Sequence, residues 1–108
     1  MTKDQLYLRH IAQAIERIEE YTAQGRQQFM SSHLNQDAVM RNFEIIGEAV
    51  KQISDRTRQN QPHIPWSQIA GFRDVLIHGY MGIDLDEVWN VVDQHLSDLK
   101  VAVLRLLD

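Results

Sequence analysis

Apolar residues recur three and four positions apart in four separate stretches of this 108-residue chain, and they never alternate over a useful length. A spacing near 3.6 residues buries one face of a helix, whereas a half-buried strand needs strict alternation. The pattern therefore supplies helices and leaves a sheet without material. Leu8, Ile11, Ala12, Ile15 and Ile18 make the first stripe, and Val39, Phe43, Ile46, Val50 and Ile53 the second. Trp66, Ile69, Ala70, Leu76 and Ile77 make the third. The fourth is Val88, Val92, Leu99, Val103 and Leu106, with His95 on the same face and so expected in the core.

The residues between the stripes punctuate them. Gln24-Gly25-Arg26-Gln27 breaks the first pattern, and Ser31 or Ser32 can cap the second helix. A polar connection follows, Arg56 to His63, with Pro62 and Pro65 ending any helix on its near side, and Pro65 suits the first turn of a third helix. Gly79 and Gly82 end that helix, and Asp84 with Glu87 three residues on has the form of a capping box for the fourth. The expected fold is all-α, an up-and-down four-helix bundle with main helices near 3–24, 33–55, 65–79 and 85–107. Residues 1–108 form one domain, long enough for a single core.

Charge and composition narrow the function. Eleven Lys and Arg against fifteen Asp and Glu give a net charge of −4, which argues against non-specific coating of nucleic acid; no DNA partner is expected. Any nucleic-acid contact should be local, at a positive notch. The chain lacks cysteine, which removes disulfides and thiolate metal sites, and has no apolar run of membrane-spanning length. A cytoplasmic protein with no membrane association is the expectation. His10, His33 and His63 have no partner at i, i+4, so no metal site and no cofactor are expected.

The sharpest feature lies on the third helix, in Arg73-Asp74-Val75-Leu76-Ile77-His78-Gly79-Tyr80. Arg73 sits within the apolar stripe, where a guanidinium is costly unless an anion meets it. That anion is either a carboxylate of this protein, with Glu48 a candidate, or a phosphate of another molecule. Phe72 and Val75 lie off the stripe, so the helix is apolar over most of its circumference. It is either central in its own bundle or shared with another chain, and with only four helices to cover it a second copy is the expected cover. His78 lies five residues after Arg73, about 140° round a continuous helix. A left-handed cap at Gly79 would unwind the last turn and let His78 and Tyr80 swing toward one pocket. On the second helix, Asn42 borders the apolar stripe, and the mid-helix Gly47 points to close approach by a neighbouring helix. The face bearing Arg41, Glu44, Glu48, Lys51 and Asp55 reads as a solvated face.

Arginine plus histidine suffices for RNA cleavage. RNA carries its own nucleophile, the 2′-hydroxyl, so the reaction needs a proton-transfer group and a cation for the charge that develops on phosphorus. Spacing alone does not separate this from a structural role for either residue.

Arg73-x4-His78-x-Tyr80 resembles the R-x4–6-H-x-Y motif of the HEPN superfamily, and its surroundings resemble the HepT-like branch. Gln36-Asp37-Ala38-Val39, Arg41-Asn42 and Glu44 to Ala49 are similar to that branch's second helix. Pro65-Trp66 to Tyr80, followed by Gly82-Ile83-Asp84, is similar to its motif helix and exit loop. The resemblance implies a HEPN-like helical homodimer with the two motif helices near the axis. It implies a metal-independent endoribonuclease, leaving a 2′,3′-cyclic phosphate, with Arg73 and His78 catalytic. It also implies the toxin of a type II- or VII-like toxin–antitoxin pair, neutralised when a nucleotidyltransferase antitoxin transfers AMP to Tyr80. Asp74, Asn42 and Glu48 are candidate supporting residues. The alternative is a non-catalytic helical subunit that binds a nucleotide or a nucleotidyltransferase and uses Arg73 to hold phosphate.

Overall fold

The computed structural model describes residues 1–79 and 82–108. Among them are seven helices and no strand: α1 (Lys3–Tyr21), α2 (Arg26–Ser31), α3 (His33–Gln52), α4 (Asp55–Gln59), α5 (Trp66–His78), α6 (Leu85–Gln94) and α7 (Leu96–Leu107). The expected all-helical fold is present, and α1, α3 and α5 correspond to the first three expected helices. α3 is central, packed against α1 on one side and α5 on the other, while α7 closes on α1.

Local chemistry sets the helix starts. Thr2 and Gln5 form a reciprocal capping box for α1, with bonds of 3.0 and 3.1 Å. Of the two candidate serines, Ser32 caps α3, its hydroxyl accepting from the Asn35 N–H at 3.1 Å. Asp84 caps α6 by accepting from the Asp86 N–H at 2.9 Å. Ser54 caps α4, and both Ser54 and Thr57 donate to the Asp4 carboxylate, tying the start of α1 to α4. These bonds hold the Asp4 carboxyl below its ordinary pKa, the Ser54 hydroxyl contributing most.

The core is the meeting of the predicted stripes. Leu8, Ile11, Ile15, Ile18, Val39, Phe43, Ile46, Val50, Ile53, Val88, Leu99 and Val103 are all buried; Ala14 is buried in α1, while Ala12 is only partly covered. Two departures have clear causes. α2 fills the presumed break after α1: Gly25, at φ 92°, turns the chain, and Phe29 is completely buried against Trp89, ring centroids 5.5 Å apart. A six-residue helix is too short to display a periodic stripe. The carbonyls left free at its end are satisfied by the buried Gln36 amide, which donates to Phe29 O and Met30 O at 3.0 and 3.1 Å.

The second departure corrects the place of His95. The expected fourth helix is broken there into α6 and α7, with His95 at φ −123° and ψ −25°, outside helical values. His95 is exposed, not core. The bend turns the imidazole outward and brings the apolar Leu96 into the core in its place.

Trp66 locks the entry of α5. Its indole N–H donates to the carbonyls of Arg58 and Gln61, each at 3.1 Å, so the polar connection folds back on the helix it precedes. From that anchor α5 runs along α3 and carries the motif with it.

Candidate active site

The approach of α5 to α3 depends on Gly47. A Cβ at this position would overlap the Cβ of Arg73 and lie 3.4 Å from the Ile69 carbonyl oxygen. The expected close approach is therefore real, and what approaches is the stem of the motif arginine. With its stem against α3, the Arg73 side chain is 28% exposed, nearly three quarters withdrawn from solvent.

Two carboxylates orient its guanidinium. Nε lies 3.1 Å from Oε2 of Glu48, one position after Gly47 on α3. Nη1 lies 3.2 Å from Oδ1 of Asp74, and the Lys51 ammonium donates to the same oxygen at 3.2 Å. The result is an alternating row, Glu48, Arg73, Asp74, Lys51, with no net charge. The hydrogen bond from Lys51 holds the Asp74 carboxyl below the usual carboxylate range; the Lys51 charge and the Arg73 hydrogen bond add to this, against partial desolvation. Asp74 is thus ionised at neutral pH and acts as a clamp on Arg73, not as a proton donor.

Arg73 also lines a cleft of about 230 Å³ between α1, α3 and α5. Ile77 comes from α5, Arg41, Glu44 and Glu48 from α3, and Tyr7 and His10 from α1. Tyr7 and His10 meet edge to face, ring centroids 5.5 Å apart. The charged face of α3 that reads as solvated is therefore, in part, the wall of this cleft. Its signal in the sequence is the three- and four-residue spacing of Arg41, Glu44, Glu48 and Lys51, which places them on one helix face. No local pattern in α1 announces Tyr7 or His10.

The other expected residues fall elsewhere. His78 is the last residue of α5, exposed, and does not line the cleft. The left-handed cap expected at Gly79 is absent: φ is −108°, ψ 17°, and the Gly79 N–H donates to the Val75 carbonyl at 2.8 Å. The helical ladder runs through the last turn, so His78 stays about 140° round from Arg73. Asn42 is buried and donates to the Ala38 carbonyl one turn back at 2.8 Å. Its Oδ1 has no donor among the described residues, and Asn42 does not line the cleft. Tyr80 lies outside the described residues.

Val75, between Arg73 and His78, is 59% exposed, while Phe72 is half-buried, edge to face with Phe43 at 5.4 Å. Among the described residues no three His, Asp or Glu gather as a metal-binding group, and no helix is long and apolar enough to cross a membrane.

Comparison with known proteins adds three findings. The model of the family described as "Ribonuclease HepT-like" matches residues 11–106. A protein of Methanocaldococcus jannaschii named "Gamma-glutamylcyclotransferase and putative RNase" is 44% identical over 110 residues, covering 100% of this chain and 50% of the relative. The chain thus spans half the length of that relative. A "Probable ribonuclease HepT" of Thermococcus cleftensis is 43% identical over 95 residues, covering 87% of this chain and 86% of its own. A "Putative RNase" of Caldanaerobacter subterraneus is 35% identical over 102 residues, covering 94% and 91%. No solved structure matches the chain.

Proposed function

The chain belongs to the HepT-like ribonuclease family, and on that premise we propose that it is a metal-independent endoribonuclease acting through Arg73 and His78. The observation that carries the reading is the seating of Arg73: its stem abuts Gly47, and Glu48 and Asp74 hold its guanidinium at the mouth of a cleft. A cation fixed in this way needs little reorganisation when charge develops on a phosphate. His78 supplies proton transfer. The 2′-hydroxyl loses its proton as its oxygen bonds to phosphorus, the bond from phosphorus to the 5′-oxygen breaks, and that oxygen takes up a proton. The products are a 2′,3′-cyclic phosphate and a 5′-hydroxyl end.

Arg73 and His78 point to different sides of one helix, so a complete site calls for a second copy. Exposed Val75 marks the face of α5 that the second copy covers, in a homodimer that places the two motifs in one cleft. We place the chain as the toxin of a toxin–antitoxin pair, with a nucleotidyltransferase as antitoxin and Tyr80 as the AMP acceptor. The added phosphate would pair with the Arg73 guanidinium in place of the RNA phosphate.

One observation favours the non-catalytic reading, a helical subunit that uses Arg73 to hold phosphate: His78 does not line the cleft of Arg73. Purified wild-type protein compared with His78→Ala on a mixed RNA substrate, in EDTA, separates the two. Cleavage by the wild type alone supports the nuclease. Intact RNA with both proteins overturns it.

A further inference from the structure

The cleft beside Arg73 has features that phosphate binding does not use. Arg41 and Arg73 are each answered by a carboxylate, Glu44 and Glu48, so beyond the phosphate that Arg73 meets the cleft has no unanswered cation for a second anion. Its volume of about 230 Å³ leaves room for one small planar group such as a single nucleobase. On one wall stand two aromatic rings at 81° to each other, Tyr7 and His10, of the types on which unpaired RNA bases stack. On α3 stands an arginine–glutamate pair three residues apart. Its closest nitrogen and oxygen are 3.6 Å apart, too far for a strong hydrogen bond, which leaves both groups able to bond a ligand.

We propose that this cleft is a guanine pocket, reading the base next to the phosphate that Arg73 meets; the proposal rests on RNA being the molecule bound there. Guanine presents two adjacent donors, N1–H and the N2 amino group, which match the two oxygens of the Glu44 carboxylate. Its O6, on the same edge, accepts from Arg41. Adenine and cytosine offer the carboxylate one amino group beside a ring-nitrogen acceptor. Uracil presents a single N–H flanked by two carbonyl oxygens, which a carboxylate repels. The expected order is guanine first, adenine and cytosine next, uracil last. Glu48 is committed to Arg73, so the discrimination belongs to Glu44.

Binding tests this without relying on cleavage. His78→Ala protein is titrated against fluorescein-labelled UUGU, UUAU, UUCU and UUUU, followed by anisotropy. UUGU should bind at least about fivefold more tightly than UUUU, the lower end of what one bidentate base contact supplies. Adding Glu44→Gln should bring the four within about twofold of one another, while adding Arg73→Ala should weaken all four alike. Equal affinity for the four oligonucleotides, no binding to any, or a guanine preference that survives Glu44→Gln overturns the proposal. A guanine preference in a chain that cleaves nothing would leave the pocket standing and the nuclease reading fallen. Cleavage without base preference would do the reverse.

Discussion

Replacing Gly47 by alanine sets helix propensity against packing, and the structure says which wins. In an exposed helix interior the change stabilises by about 1 kcal/mol, because alanine loses less backbone entropy. Here the new Cβ overlaps the Cβ of Arg73 and lies 3.4 Å from the Ile69 carbonyl oxygen. The obstructing atom is fixed to the α5 backbone and cannot rotate away. Carbon atoms settle about 3.5–4.0 Å apart, so α5 must retreat by on the order of 1 Å. Overpacking of this kind costs about 1–3 kcal/mol, and the retreat also strips contacts from the α3–α5 interface. The net expectation is a loss of about 1–2 kcal/mol, a fall of roughly 4–10 °C in Tm for a domain of this size. Gly71 is the internal control, on α5 itself: a Cβ there meets nothing within 4 Å. In the single chain Gly71→Ala should therefore gain about 0.5–1 kcal/mol, measured below the concentration of dimerisation because Gly71 lies one turn before Val75 on the face proposed for the second copy. Thermal melts and urea titrations of both variants test the argument. A Gly47→Ala protein melting at or above the wild type would refute it, as would a Gly71→Ala protein that falls equally far. RNA cleavage by Gly47→Ala should fall even under conditions where the variant is fully folded, because the displaced backbone carries Arg73.

Asp4 should make stability acid-sensitive: its folded pKa lies below the unfolded value of about 3.9, so its contribution is complete above that pH and is lost as pH falls through the folded value. Unfolding free energies of Asp4→Asn from urea titrations should accordingly trail the wild type at pH 7 by about 1–2 kcal/mol and converge with it as pH falls through the folded value; a gap unchanged with pH would contradict the assignment. Glu48→Gln breaks a half-exposed ion pair and should change stability by less than about 1 kcal/mol, so a loss above 2 kcal/mol by chemical denaturation would mean that the row of charges is structural. Val75→Glu should turn a dimer into monomers in sedimentation at micromolar concentration, and a wild-type chain that is already monomeric would remove the composite cleft. Incubation with the nucleotidyltransferase partner and ATP should add AMP mass to the wild type but not to Tyr80→Phe, and neutralisation without any mass change would show inhibition by binding alone.

The all-helical fold and most of its core follow from the sequence because a 3.6-residue stripe is a local property: each helix reveals its buried face before it meets a partner. The same holds for Ser32 and Asp84, whose caps reach only two or three residues along the chain. The motif was readable for the same reason, as was the anomaly of an arginine on an apolar face. What answers that arginine was readable only in part: Glu48 was a candidate carboxylate, whereas the clamp by Asp74 with Lys51 behind it was not. Glu48 and Lys51 sit on a polar face that one helix alone presents to water, and only the crossing of α3 and α5 at Gly47 turns it into a wall around Arg73. Tyr7 and His10 join the cleft across the α1–α3 contact, a relation with no spacing in sequence to betray it. His95 shows the opposite error. Its position on the stripe was local information, but the bend between α6 and α7 comes from packing among helices, and packing placed Leu96 in the core and the imidazole in solvent.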